Sequence, residues 1–109
     1  VLEMGFFRVR EAKVDDLRSW MKEIEDREGE VLETFRNEGT RHERAFLLEG
    51  SDGPVLVYVM EVDDPEKARR AYADSKLPID AEHRRVMGEV LVGGAEAEEL
   101  LNISARRER

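Results

Sequence analysis

The chain contains no cysteine, so it can build neither a disulfide framework nor a thiolate metal centre. Histidine is scarce too: His42 and His83 are the two in the sequence, and no His-Glu-x-x-His occurs. Neither a metal nor a cofactor is expected. Long apolar runs are missing, the longest falling far short of the roughly 18 residues a membrane span needs. Nothing resembles a signal peptide, so a cytoplasmic location with no membrane partner is expected. A basic stripe is also lacking, because 14 arginines and 4 lysines are interleaved with acids at a net charge of −8. Such a surface repels phosphates, and nucleic acid is not expected as a partner. The excess of arginine over lysine is read as codon bias, the alternative being that Arg holds paired carboxylates better than Lys. There is no Ser-His-Asp order and no phosphate-cradling loop, since Gly93-Gly94 follows an expected helix instead of preceding one. Val1 is not a methionine, so an initiator or a few leading residues are expected to be missing.

What is present suffices for one core. The 109 residues are 40% hydrophobic and 40% charged, which predicts a single domain over residues 1–109 with a heavily solvated exterior. Its organising stretch is Pro54-Val55-Leu56-Val57-Tyr58-Val59-Met60-Glu61-Val62. Valines, a tyrosine and short length favour a strand, and the absence of apolar/polar alternation predicts one covered on both faces.

Residues 2–10 read as a first strand, with Phe7 and Val9 on one face and Phe6, Arg8 and Arg10 on the other. Apolar residues at Val14, Leu17, Trp20, Met21, Ile24, Val31, Leu32 and Phe35 then mark one buried helical face. The pattern lapses at Arg27-Glu28-Gly29, which predicts a kink or two helices, and Asn37 with Gly39 predicts the stop. Residues 40–49 read as a strand. Gly50-Ser51-Asp52-Gly53 turns it into the central one as an antiparallel hairpin. An even loop pairs Leu47 with Leu56, Ala45 with Tyr58 and Glu43 with Met60 on one face. On the other, Leu48 meets Val55 and Phe46 meets Val57. His42 and Glu61 should face each other near the strand ends on the helix side. Asp63-Asp64-Pro65-Glu66 starts a helix running to about Asp74. Asp80 is expected to cap a further helix that carries His83, Val86, Met87, Val90 and Leu91 and ends at Gly93-Gly94. Residues 100–105 are expected to close the sheet edge as a last strand, with 106–109 frayed.

The order β-α-β-β-α-α-β is that of an α+β, ferredoxin-like antiparallel sheet with its helices on one face. The bare face would then be an apolar patch larger than soluble monomers tolerate. A second copy covering it gives a homodimer. The alternative is a monomer covered by its tail or its kinked helix. In the dimer reading the Leu56 face belongs to the partner and Val57 to the helix-facing core, so Leu56→Asp should dissociate and Val57→Asp should unfold.

Three segments carry a resemblance: Phe6-Phe7-Arg8-Val9-Arg10, Asn37-Glu38-Gly39 and Leu77-Pro78-Ile79-Asp80-Ala81-Glu82-His83. In these the chain is similar to small uncharacterised members of the dimeric α/β-barrel superfamily. That superfamily includes the antibiotic-biosynthesis-monooxygenase-like proteins and the rhamnose mutarotases. The resemblance implies two ferredoxin-like sheets packed face to face, and it implies no particular reaction. Haem-degrading barrel enzymes use an Asn, a Trp and a His. Here Trp20 and His83 are present but the first strand has no asparagine, which argues against that assignment.

The candidate catalytic residues are His83 and Glu43, and the candidate substrate-binding residues are Arg8 and Tyr58. His83 follows Asp80 by three residues, close enough for the carboxylate to set the imidazole tautomer and raise its basicity. Equally, Asp80 can simply cap its helix. Glu43, Tyr58 and Arg8 are expected on one cavity-facing side, offering an acid/base, a hydroxyl and a cation; an Arg8–Glu43 ion pair that only fixes the dimer register is the bland alternative. Beside Met60, burial would raise the pKa of Glu43 and Arg8 would lower it. Two functions stay open. One is a metal-free protein that binds or converts a small organic molecule in the half-barrel. The other is a non-catalytic dimer that senses a ligand or binds a protein.

Overall fold

The computed structural model describes residues 1–105, so the expected fraying of residues 106–109 lies outside the described part. The chain runs β1 (Leu2–Val9), a 3-10 turn (Glu11–Lys13), α1 (Val14–Asp26), α2 (Glu28–Glu38), β2 (Thr40–Gly50) and β3 (Gly53–Val62). It continues as α3 (Pro65–Asp74), α4 (Pro78–Val90) and β4 (Leu91–Gly94). The strands form one antiparallel sheet in the order β2-β3-β1-β4. This α+β arrangement is compatible with a ferredoxin-like fold: β1 and β2 run parallel with β3 between them, and β3 and β4 with β1 between them.

Local chemistry sets the element ends. The Asp64 carboxylate accepts from the backbone N–H groups of Glu66 (3.1 Å) and Lys67 (3.2 Å), and Pro65 supplies the first turn of α3. Gly39 closes α2 at φ 75°, a left-handed conformation that favours glycine. The expected break in the long helix falls at Arg27, whose φ of −109° and ψ of 39° separate α1 from α2. Its guanidinium reaches Glu23 (2.9 Å), Glu30 (2.7 Å) and Glu82 of α4 (2.6 Å), which ties the bend to a third helix. In the hairpin Gly50 pairs with Gly53, and the expected register holds for Leu47–Leu56, Ala45–Tyr58, Glu43–Met60, Leu48–Val55 and Phe46–Val57.

The faces of that hairpin are the reverse of the expectation. Leu56, 2% exposed, packs with Val9, Leu17, Trp20, Ile79, Val86 and Val90 beneath the helices. Val57 lies on the other face, shielded by its cross-strand neighbours Phe6 and Phe46. That face also holds Arg8, His42 and Arg44, all exposed, and turning it under the helices would bury their polar groups without water. His42 and Glu61 do pair in register, but on this open face and not on the helix side.

The last strand is also displaced. Leu91 leaves the helix at φ −94°, ψ 143°, and Phe7 and Arg8 pair with Gly94 and Gly93. Gly93-Gly94 therefore extends the sheet instead of ending a helix, and the Ala95 N–H to Phe6 carbonyl bond (2.9 Å) carries the contact one step further. With that edge of β1 taken, residues 100–105 form no strand, and Leu100, Leu101 and Ile103 are exposed.

Candidate functional site

Period-two alternation along β3 points Leu56, Tyr58, Met60 and Val62 toward the helices. Glu43 opposes Met60 across the hairpin and so is the diagonal neighbour of Tyr58 on the same face. From above, α4 supplies His83, α3 supplies Tyr72, and α2 supplies Thr34 and Glu38. Between sheet and helices these residues line a cavity of about 570 Å³, open on one side, whose wall also holds Thr40, Asp80 and Arg84 and apolar groups such as Phe7, Ile24, Phe35, Met60 and Met87. Its size falls within the few hundred to one thousand Å³ usual for small-molecule sites, roughly.

The structure thus brings three of the four candidate residues, His83, Glu43 and Tyr58, into one cavity wall. Arg8 is not with them. It opposes Val55 and Gly93 on the open face, because it is one residue out of phase with Phe7 and Val9. The cavity instead meets Arg84, whose guanidinium donates to the backbone carbonyls of Tyr72 (2.7 Å) and Ser75 (3.0 Å) and lies 5.3 Å from the Tyr72 ring centroid.

Asp80 neither caps α4 nor binds His83. Leu77 holds the N-cap position, and the Asp80 carboxylate, 4% exposed, accepts from Thr34 Oγ1 (2.6 Å) and Ser75 Oγ (2.5 Å). Three residues C-terminal to the cap, it turns back toward α2 and the α3–α4 connection. His83 is fixed by other groups. Its Nδ1 lies 2.8 Å from Trp20 Nε1, its Nε2 lies 3.3 Å from the Tyr58 hydroxyl, and the Tyr72 ring meets it edge-on at 6.0 Å.

The electrostatics follow from burial. Desolvation, reinforced by the Glu38 carboxylate, pushes the Glu43 carboxyl up to about 7. Of the two influences foreseen for Glu43, burial prevails, since Arg8 is across the sheet. Glu38 is raised as well, mainly by burial, against bonds from Thr40 and Thr34. Burial holds the Tyr58 phenol well above its ordinary value, with Glu43 adding to it, and lifts Tyr72 to about 12. His83 is lowered, mainly by burial, against the opposing pull of Asp80. At neutral pH the cavity therefore offers a carboxyl near its midpoint, a neutral phenol and a neutral imidazole.

By sequence alone Glu38 and Arg84 have no place in the site, and Trp20 has only a place in the core. Trp20 sits in the apolar stripe of α1 and is indeed buried there. The available signal was its indole N–H, since a buried tryptophan nitrogen usually finds an acceptor. Among the described residues, no cluster of three or more His, Asp or Glu side chains is arranged to hold a metal ion, and no helix is long and apolar enough to cross a membrane.

A family model described as a family of unknown function (DUF6176) matches residues 2–108. No curated protein and no solved structure matches the chain.

Proposed function

We propose that this chain, which belongs to a family of unknown function (DUF6176), binds a small, mostly apolar organic molecule between its sheet and helices and can exchange a proton with it through Glu43. The observation that carries this reading is the 570 Å³ cavity into which Glu43, Tyr58 and His83 converge. An apolar wall with a few polar groups is the make-up of a small-molecule site. A carboxyl poised near 7 suits general acid–base work at neutral pH. The test is a thermal-shift screen with small aromatic and alicyclic ketones and alcohols. Some of these should raise the melting temperature of the wild type, and filling the cavity through Ala68→Phe should abolish the effect. Hits that survive Ala68→Phe, or a panel with no hits, would refute the reading.

A second copy of the chain is the proposed cover for the open face. There Met4 (56% exposed), Phe46 (42%) and Leu48 (57%) flank Val55, Val57 and Val59 of β3. Apolar surface of this kind on one sheet face marks an interaction site, and two such faces packed together give the dimeric barrel that the resemblance implies. A non-catalytic dimer that only senses its ligand differs at one point: Glu43→Gln would leave ligand turnover with nothing to lose. Light scattering at micromolar concentration should return twice the chain mass of 12.6 kDa. A stable monomer would overturn the barrel.

A further inference from the structure

We infer that Trp20 locks His83 as the neutral Nε2–H tautomer, so that His83 is the fixed donor orienting the Tyr58 hydroxyl, Tyr58 binds a hydrogen-bond-accepting oxygen of the ligand, and Glu43 carries the proton. Trp20 and His83 are positioning residues in this arrangement. The ligand part rests on the cavity reading above, and the tautomer does not.

The chain of inference starts from an atom with no choice. An indole nitrogen can only donate, and Trp20 Nε1 lies 2.8 Å from His83 Nδ1. Nδ1 must therefore present its lone pair, which leaves the single proton of the neutral ring on Nε2. That nitrogen faces the Tyr58 oxygen at 3.3 Å, so the N–H donates and the phenol accepts. The Tyr58 proton must then point to another acceptor. No described residue takes it, and the cavity lies on that side. A carbonyl or ether oxygen of a ligand completes the relay from indole to imidazole to phenol.

The same geometry removes His83 as a base. Its unprotonated nitrogen is occupied by Trp20, and its other nitrogen already bears a proton. Protonating Nδ1 would set N–H against N–H inside the core, where Trp20 is 6% exposed. The remaining groups around the ring do not offset this. From its own helix, the Asp80 charge favours protonation but is engaged by Thr34 and Ser75, while Arg84 opposes it. The Tyr72 ring of α3 stands nearly perpendicular to the imidazole, and Glu43 of β2 and Glu38 of α2 line the same cavity. Glu38 is engaged by the Thr34 and Thr40 hydroxyls, which leaves Glu43 as the group able to gain or lose a proton beside the ligand.

The decisive experiment is ¹⁵N NMR of the histidine side chains in the full, ligand-free chain, with His42→Gln assigning the signals. His83 should show a protonated Nε2 and an unprotonated Nδ1 from neutral to mildly acidic pH, unchanged in Tyr58→Phe. Trp20→Phe should mix the two tautomers and let the ring protonate at higher pH. A purely structural role for Trp20 would lower the melting temperature and leave the tautomer alone. A protonated Nδ1 or an imidazolium at neutral pH in the wild type, or a tautomer unmoved by Trp20→Phe, would overturn the inference. If Trp20→Phe fails to fold, the wild-type spectrum decides. For the ligand, acetophenone should bind about tenfold tighter than ethylbenzene, the worth of one hydrogen bond, and Tyr58→Phe should erase that preference. Equal affinities would remove Tyr58 from its role. Failure of both probes to bind would count against the cavity reading, while the tautomer, measured without ligand, stands or falls separately.

Discussion

Replacing Glu43 with glutamine should stabilise the protein, by an amount that grows with pH. Burial and the Glu38 carboxylate lift the Glu43 carboxyl from 4.5 to about 7. At about 1.4 kcal/mol per pKa unit, ionising it in the folded chain costs about 3 kcal/mol. Because the folded-state pKa lies above the unfolded one, the folded chain keeps a proton that the unfolded chain has released. The associated stability is fully present below about pH 4.5, is lost as pH rises, and is gone above about pH 7. His83 acts in the opposite sense. Its pKa is depressed on folding, so its contribution is lost as pH falls below 6.5. Subtracting the two proteins cancels that term and isolates Glu43. Trp20, the one tryptophan, reports unfolding in urea. The wild-type and Glu43→Gln free energies should coincide near about pH 4.5 and separate to about 3 kcal/mol by about pH 8, with glutamine the more stable and m-values equal. Proton transfer to a ligand should be lost in the same variant, a stability gained at the expense of activity. A difference that stays flat with pH, or glutamine destabilising at about pH 8, would refute the burial of Glu43 as described.

Two charge substitutions separate the faces of β3 and β2. Leu56→Asp places an unpaired charge beneath the helices and should abolish the folded circular-dichroism spectrum, whereas Phe46→Asp should keep that spectrum and yield a monomer by light scattering. The reverse pattern would restore the opposite facing of the sheet. Gly39→Ala forces a side chain into a left-handed conformation at φ 75° and should cost about 1–2 kcal/mol. That corresponds to a melting temperature lowered by about 4–8 °C per kcal/mol, and an unchanged melting point would deny the cap.

The features legible in the sequence are those whose causes lie within a few residues. Asp64 before Pro65 starts α3, Gly39 ends α2, and the lapse at Arg27 splits the long helix, each through backbone groups close to the residue itself. The Gly50–Gly53 turn set the hairpin register, and with it the meeting of Glu43 and Tyr58, because a two-residue loop leaves the strands one pairing. Neither the facing of the sheet nor its fourth strand was local in this sense. Val55 to Met60 is apolar at every position, so β3 by itself is indifferent to which side receives the helices. The choice falls to charges on its neighbours, Arg8 on β1 and Arg44 on β2, which must stay wet. Likewise the helical period runs on through Leu91, and only the free edge of β1 draws residues 91–94 into the sheet. The sequence by itself determined the elements from β1 to α4, their order and the pairing of the hairpin, since those depend on short-range sterics and turn chemistry. The burial of Glu43, the exclusion of Arg8 and the bond between Trp20 and His83, 63 residues apart, were decided by tertiary packing, because only the closed core sets which groups lose water and which partner each is left to find.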